Sequence, residues 1–182
     1  FNTLECLRNK LPKTKLIYLS SNKVYGNLDN IKLKETSKKY INLGKNINEK
    51  SHLNFKSPYG CSKGSSDQYV SDYSLTYGLN TVVLRLSCIY GPNQWGTEDQ
   101  GWISWFIIKA LKKDRINIFG NGKQVRDVLY IDDLVKLINK CIIRRKLSGD
   151  AYNVGGGAKN SLSLLNLIDS LKIITKKEIK YK

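Results

Sequence analysis

Hydrophobic residues along this chain form two kinds of run that follow one another in turn. Short continuous apolar runs, which are typical of strands buried in a parallel sheet, are KLIYLSS, TVVLRLS, VLYI and AYNV. Between them lie segments that predict helices: TLECLRNKL, in which apolar residues recur at helical spacing, then residues 59–77, GWISWFIIKAL, DLVKLINKCII and LSLLNLIDSL. This alternation predicts an α/β fold in which helices flank a parallel sheet.

Individual residues predict where several of these elements begin or end. Gly78 should close the helix that starts near Tyr59, and Asp132 can cap the helix that follows it. INIFGNGKQ predicts a further strand with a Gly-Asn-Gly turn. The polar segment 27–56 has no strong period and predicts a long functional loop with a short helix. The glycines at 155–157 predict a tight loop.

The composition is that of a globular protein. The chain has 182 residues, of which 41% are hydrophobic and 25% are charged, so it can bury one sizeable core. No apolar run approaches the ~18 residues that span a bilayer, and we expect no membrane partner. The sequence contains no Met, and we therefore expect it to be part of a longer protein.

The formal net charge is +16, which admits two interpretations. A basic nucleic-acid-binding module would use this charge, but such a site favours clustered arginines that make bidentate contacts. Here the chain has 25 Lys and 6 Arg, and the lysines are scattered. We therefore favour a compositional bias and expect no nucleic-acid partner; a binding module would instead show tight, salt-dependent binding.

The cysteines predict no metal site. Cys6, Cys61, Cys88 and Cys141 form no Cys-x-x-Cys pair, and His52 is the only histidine. The sequence therefore lacks a ligand set for tetrahedral zinc. Separated thiols suit a reducing compartment, and we expect a cytoplasmic protein.

Tyr59 and Lys63 have the spacing that places two side chains on one face of a helix. Spacing alone is weak evidence, because random placement of 11 Tyr and 25 Lys gives roughly 1.5 such pairs. An ammonium beside a phenol favours the phenolate, which is a general base suited to a sugar hydroxyl. Taken by itself, however, Tyr59 is better explained as an aromatic residue packed on Pro58 at a helix start.

Two serines give this pair its context. Ser20 and Ser21 end a predicted buried strand, and ligands of open α/β sheets lie at the carboxyl ends of strands. A strand-end cap is the alternative role for Ser21 taken singly. Because the helix that carries Tyr59 can reach the same edge, a hydroxyl, a phenol and an ammonium can converge there, and together they favour a catalytic site.

Five stretches of the chain, in this order, carry a family resemblance. They are SSNKVYG, SPYGCSKGSSDQY, RLSCIYGP, GNGKQVRDVLYIDDLV and YNVGGG. They resemble the extended short-chain dehydrogenase/reductase family of NAD-dependent epimerases and dehydratases, and the similarity covers nearly the whole chain outside residues 27–50. The resemblance implies a Rossmann-like parallel sheet, NAD as cofactor, and a nucleotide sugar as substrate, with a CDP-sugar favoured.

The resemblance also implies catalytic roles. Ser21 falls on the hydroxyl that hydrogen-bonds the reacting oxygen, and Tyr59 falls on the general base. Lys63 falls on the lysine that binds the nicotinamide ribose and tunes the base, and Asn22 would face the sugar. The implied reaction is an epimerisation at C2. The base takes the hydroxyl proton while NAD+ takes the hydride, and NADH returns the hydride to the other face of the sugar.

Four more residues receive roles in the same way. Ser87 and Cys88 fall on the stretch near the nicotinamide and the sugar, although many relatives have Asn where Cys88 stands. Arg126 falls on the arginine that clamps the nucleotide diphosphate, for which a guanidinium fork is suited; a surface arginine is the alternative. Gln94 would help to shape the nucleotide-sugar pocket.

The resemblance divides the chain into two parts. Residues 1–90 correspond to the C-terminal part of an NAD-binding domain. Residues 91–182 correspond mostly to a nucleotide-sugar-binding domain, with 123–146 crossing back to the first. The family's Gly-x-x-Gly-x-x-Gly loop, which places a pyrophosphate on a helix N-terminus, does not occur in this sequence. We therefore expect residues 1–182 alone to bind NAD poorly and to be inactive. The resemblance also implies that the whole protein is a homo-oligomer.

Other reactions of the family stay open. A 4,6-dehydratase would have an Asp-Glu pair after the strand-end hydroxyl, where this chain has Asn22 and Lys23, so dehydration is disfavoured. A nucleotide-sugar 4-epimerase is an alternative. A non-catalytic relative is another, and the presence of Ser21, Tyr59 and Lys63 speaks against it.

Overall fold

The computed structural model describes residues 1–29, 31–44 and 46–182, and the chain divides into two compact units. The first comprises Phe1–Asn30, Ile47–Ser87 and Asp133–Val154, and the second comprises Ile31–Asn46, Cys88–Asp132 and Gly155–Lys182. The helices and strands, in chain order, are α1 Asn2–Lys10, β1 Leu16–Ser21, β2 Leu33–Glu35, β3 Tyr40–Asn42, α2 Ser57–Tyr77, β4 Thr81–Leu86, β5 Cys88–Tyr90, α3 Trp102–Lys112, β6 Val125–Tyr130, α4 Ile131–Ile143, β7 Ala151–Val154, β8 Ser161–Ser163 and α5 Leu164–Thr175. In the described part of the chain, no helix combines the length and the apolar character that crossing a membrane requires.

The first unit is built on a parallel sheet with the strand order β1-β4-β7. All six residues of the central strand β4 are buried, which suits its β-branched and apolar sequence. The register places Ser20 beside Arg85 and Ser21 beside Leu86, and Leu86 also pairs with Val154. The carboxyl ends of the three strands therefore lie level with one another. The predicted α/β fold with a parallel sheet is confirmed.

Helix α2 follows the predicted boundaries closely. It begins at Ser57, and Pro58 lies in its first turn, where the missing N–H is not needed. It ends at Gly78, whose φ of 69° is the left-handed conformation that favours glycine. Helices α1 and α2 share an apolar core with the sheet, and its buried members are Leu4, Leu7, Val70, Tyr73, Leu79 and Val83.

A polar cluster fastens α1 to α2. The Glu5 carboxylate accepts hydrogen bonds from Arg8 at 2.8 and 3.0 Å and from the Tyr73 hydroxyl at 2.7 Å. The bonds from Arg8 and Tyr73 stabilise the carboxylate and lower the pKa of Glu5 to about 2. The bond to Glu5 raises the pKa of Tyr73 to about 12. The phenol therefore stays protonated near neutral pH and keeps this link between the helices.

The second unit has a smaller sheet. Strand β6 lies between β5, which is parallel to it, and β8, which is antiparallel. Helix α5 begins with a capping box, in which Ser163 Oγ accepts the N–H of Asn166 at 3.1 Å and Asn166 Oδ1 accepts the N–H of Ser163 at 3.3 Å. The core draws on α3, α5 and the chain around them, and its buried members are Ile103, Phe106, Ala110, Ile116, Val128, Leu167, Ile168, Leu171 and Ile179.

The prediction of a strand over INIFGNGKQ is wrong. Within it only Ile116 forms an isolated bridge, which pairs it with Tyr181. Gly120 and Gly122 have φ values of 87° and 68°. These left-handed conformations turn the chain ahead of β6 and are incompatible with an extended run.

Two further local expectations were wrong. Asp132 does not cap a helix, because α4 already begins at Ile131 and places Asp132 within its first turn. In the segment 27–56 the described residues form the antiparallel strands β2 and β3, where a short helix was expected.

The three glycines after β7 form the predicted tight loop, which is closed over a partly buried carboxylate. The N–H of Gly156 donates to Asp127 Oδ1 at 2.7 Å. Burial raises the pKa of Asp127, and the backbone N–H bonds of the loop oppose that effect. A Cβ on Gly155 would lie 2.0 Å from Asp127 Oδ2, and one on Gly156 would lie 2.0 Å from the carbonyl oxygen of Val128. The loop therefore needs glycine because other atoms occupy the space of a side chain.

We expect Gly156→Ala to destabilise the protein by about 1–3 kcal/mol, because the backbone at Val128 must move to admit the methyl group. Denaturant unfolding measures this difference. Gly44→Ala is the matched control: its Cβ would meet only Asn42 Oδ1, at 3.5 Å, and the variant should stay within about 0.5 kcal/mol of the parent. Equal stability of the two variants would contradict the steric explanation.

Candidate active site

Ser21 ends β1 and caps the single 3₁₀ turn, Asn22–Tyr25, that follows it. Its side chain is buried, and its Oγ accepts the N–H of Lys23 at 3.2 Å. A serine hydroxyl can accept two hydrogen bonds and donate one, so this capping bond does not use its hydrogen. Asn22 is exposed on the turn. The structure thus gives Ser21 the capping role, and that role leaves its hydroxyl able to donate.

Tyr59 and Lys63 lie in the first two turns of α2. The Tyr59 side chain is 54% exposed, so its phenol is accessible to a ligand. The Lys63 ammonium donates to the carbonyl oxygen of Leu19 at 2.8 Å and lies 5.3 Å from the ring centroid of Tyr18. Lys63 is therefore anchored on β1 two residues before Ser21.

Small residues let α2 approach the turn after Ser21. A Cβ on Gly60, the neighbour of Tyr59, would lie 3.4 Å from the carbonyl oxygen of Lys23. A Cβ on Gly64 would overlap the ring of Phe55, at 2.2 Å. The first turns of α2 thus lie against the segments around them. The structure thus places the start of α2 beside the turn after Ser21, through Gly60, and the Lys63 ammonium on Leu19 of the strand that Ser21 ends.

A buried ion pair joins α2 to the sheet one helical turn after Lys63. The Asp67 side chain has no exposed surface, and that of Arg85 is 4% exposed. Arg85 donates to Asp67 through Nε at 2.9 Å and Nη2 at 2.8 Å, and Ser20 Oγ donates to the same carboxylate at 2.8 Å. One carboxylate on α2 is therefore bound by the two neighbouring strands β1 and β4.

The other side of Arg85 organises the chain around the 3₁₀ turn. Its Nη1 donates to the Tyr25 hydroxyl at 2.9 Å, and that hydroxyl donates to Asn153 Oδ1 at 2.7 Å. Burial alone would lower the pKa of Arg85, but the hydrogen bonds that it donates to Asp67 and Tyr25 outweigh burial and raise the pKa. The Asn153 N–H donates to the Glu49 carboxylate at 2.7 Å and lowers the pKa of Glu49. Arg85 thus remains charged and links α2 to the turn that Ser21 caps.

Sequence reasoning missed Asp67 and Arg85, although a signal was present. Arg85 is the one charged residue in the apolar run TVVLRL, and a buried arginine requires a partner. Asp67 lies four residues after Lys63, on the same predicted helix face. The pattern indicates that a buried partner exists, but it does not identify which acid it is.

Ser87 follows directly after β4 in the first unit. Its Oγ is buried and has no hydrogen-bond partner among the described residues. A buried hydroxyl without a partner is unfavourable. A bound ligand that supplied a donor or acceptor here would satisfy it.

The other predicted site residues belong to the second unit. Cys88 is half-buried in β5 and packs against the core. Gln94 donates to the carbonyl oxygen of Ile89 at 3.2 Å and accepts from Ser104 Oγ at 2.5 Å, so its amide already holds the start of α3. Arg126 is exposed on β6, where Nη1 donates to the backbone oxygen of the preceding residue at 3.1 Å. Their roles toward a ligand stay predictions.

Comparisons with known proteins identify a matching family, a similar curated protein and similar solved structures. The NAD dependent epimerase/dehydratase family matches residues 1–155. CDP-paratose 2-epimerase from Salmonella typhi is 47% identical over 179 residues, which cover 94% of this chain and 53% of that protein. Among solved structures, dTDP-glucose 4,6-dehydratase from Bacillus anthracis in complex with NAD has a TM-score of 0.78 at 28% identity, covering 99% of this chain and 53% of that one.

A second solved structure agrees with the first. UDP-glucuronic acid 4-epimerase from Bacillus cereus, in complex with UDP-glucuronic acid and NAD, has a TM-score of 0.77 at 28% identity. The match covers 98% of this chain and 51% of that one. This chain spans about half the length of the curated relative and of both solved structures.

Proposed function

The chain belongs to the NAD dependent epimerase/dehydratase family, and on that premise we propose that it carries the catalytic groups of an NAD-dependent nucleotide-sugar epimerase. The family expected from the five sequence stretches is thereby confirmed. The observation that carries the proposal is the position of Lys63. Its ammonium is anchored on Leu19 beside Ser21, and Tyr59 lies one helical turn earlier on the same face.

Each of the three groups has a distinct task in this proposal. Ser21 donates its free hydroxyl hydrogen to the reacting sugar oxygen and holds it in place. Tyr59 accepts the proton of that sugar hydroxyl at its phenol oxygen. Lys63 supplies a fixed positive charge that favours the phenolate form of the base. The exposure of Tyr59 and the anchoring of Lys63 support these roles.

NAD is the cofactor that we propose for the whole protein, and it supplies a reversible hydride acceptor when bound. The residues present fit such a group at its nicotinamide end. The unpartnered buried hydroxyl of Ser87 can bond to it, and Lys63 and Tyr59 lie in the same unit with donors for a ribose hydroxyl. Cys88, the next residue, is the fourth group that we assign to this end.

We propose CDP-paratose as the substrate and C2 as the epimerised carbon, which would yield CDP-tyvelose. Support comes from the 47% identity to CDP-paratose 2-epimerase. Asn22 and Lys23 follow Ser21 where a dehydratase would have two acids, which favours epimerisation. Arg126, with its exposed guanidinium, is suited to the diphosphate, and Asn22 and Gln94 would line the sugar side.

We assign residues 1–90 to the cofactor-binding part and 91–182 mostly to the substrate-binding part, with 123–146 returning to the first part.

A cytoplasmic location is proposed because the four cysteines are free thiols. We also propose that the whole protein is a homo-oligomer, since α2 exposes Leu75 and Tyr77. Light scattering would test this, and a monomer at micromolar concentration would contradict it.

In the whole protein, we expect Tyr59→Phe to reduce turnover of CDP-paratose by at least about 100-fold, because it removes the general base. The measurement is epimerisation followed by NMR. Tyr69→Phe removes a hydroxyl that is also exposed on α2 and is the matched control, which should keep the parent rate. Unchanged turnover in Tyr59→Phe would refute the assignment of the base.

We expect the whole protein to convert CDP-paratose and to leave a UDP-hexose unchanged. Incubation with each sugar and NAD, with products identified by NMR, separates the two reactions. Activity on the UDP-hexose alone would contradict the 2-epimerase and would establish a 4-epimerase. A dehydrated product from a dTDP-hexose would contradict both.

A further inference from the structure

The ion pair of Asp67 and Arg85 has no task in the proposed reaction. Both side chains are buried and lie out of reach of a substrate. Removing two charges from water costs several kcal/mol per ion, and apolar residues of similar volume are often equally stable or more stable at such positions. Stability alone therefore does not account for this pair.

The pair fixes the position of α2 along β1. The Asp67 carboxylate accepts bonds from Ser20 on β1 and from Arg85 on β4, and these two residues are register partners in the sheet. On α2, Lys63 lies one turn and Tyr59 two turns before Asp67, about 6 and 12 Å along the helix axis. A shift at Asp67 would therefore move both residues relative to the end of the strand.

The same guanidinium also holds the turn that Ser21 caps. Arg85 Nη1 donates to the hydroxyl of Tyr25, the last residue of that turn. Its two remaining nitrogens, Nε and Nη2, donate to Asp67 on α2. The Arg85 side chain is therefore hydrogen-bonded both to α2, which carries Tyr59 and Lys63, and to the turn that Ser21 caps.

We propose that Asp67 and Arg85 are positioning residues, which set the distance between the hydroxyl of Ser21 and the groups of Tyr59 and Lys63. The proposal rests on the proposed function, because it concerns the same three groups. A planar fork that makes two parallel hydrogen bonds is suited to this task, since it fixes orientation as well as distance. Neither residue touches the reacting atoms.

The test is the double variant Asp67→Leu/Arg85→Met in the whole protein, which removes both charges at similar volume. We expect it to fold with a melting temperature near that of the parent. We expect kcat for CDP-paratose to fall by about 10- to 100-fold, because small misplacements of catalytic groups have effects of this size. KM should change little, since the pair contacts no substrate. A folded variant with the parent kcat would overturn the proposal.

The matched control is Glu5→Leu/Arg8→Met. It removes another arginine–carboxylate pair of the first unit. Glu5 of that pair also accepts a hydrogen bond from α2, but from Tyr73, near the other end of the helix. We expect parent kcat and KM. An equal loss of kcat in both double variants would indicate a general loosening of the unit and would overturn the positioning role.

Ser20→Ala decides the question if the double variant does not fold. It keeps the ion pair and removes only the bond from β1 to Asp67. A lower kcat at unchanged KM, in a variant that remains folded at the assay temperature, supports positioning. A parent value of kcat contradicts it.

A crystal structure of the double variant separates this proposal from the proposed function. We expect Lys63 Nζ to leave its 2.8 Å contact with the carbonyl oxygen of Leu19 and the first turn of α2 to shift. If the contact is retained, or retained in Ser20→Ala when only that variant folds, the positioning role is overturned whatever the activity. If the parent protein is inactive on every nucleotide sugar, the proposed function fails while this measurement still decides.

Discussion

The arrangement of helix, strands and turn in the first unit is organised around the buried ion pair of Asp67 and Arg85. Either charge alone would be strongly unfavourable in this interior, and the two are tolerated because the pair is bidentate and Ser20 and Tyr25 bond to its remaining polar atoms. These bonds join a helix, two strands and a turn. The hydrogen bonds that join α2 to the sheet are therefore the same bonds that satisfy the buried charges.

The candidate site follows from this arrangement and from the direction of the strands. Parallel strands bring their carboxyl ends to one edge, where Ser21 ends β1 and Ser87 follows β4. Glycines at 60 and 64 then allow α2 to lie directly against the chain beside that edge. A larger side chain at position 64 would have to displace the Phe55 ring. Small residues therefore contribute to the site as much as the reactive ones do.

The second unit uses a partly buried carboxylate in a related way. Asp127 on β6 holds the glycine loop through a backbone N–H, while the preceding residue, Arg126, is exposed. Successive side chains of a strand point to opposite faces, so a single strand presents one residue to the interior and the next to solvent. The rigid anchor and the exposed cation are thus neighbours in sequence.

Much of the local structure was determined by the sequence alone, because helices and buried strands depend on periodicity within short windows. The helix with Tyr59 and Lys63, the strand that ends at Ser21 and the closing Gly78 could all be predicted in this way. The residues that join these elements could not. Asp67 lies 18 positions from Arg85 and 47 from Ser20, and only the packing of α2 on the sheet brings the three together. Likewise, the segment that starts at Ile116 was predicted to be a strand, but Ile116 forms only an isolated bridge with the distant Tyr181. Contacts between residues distant in the chain depend on how whole elements pack, which no local pattern of residues contains.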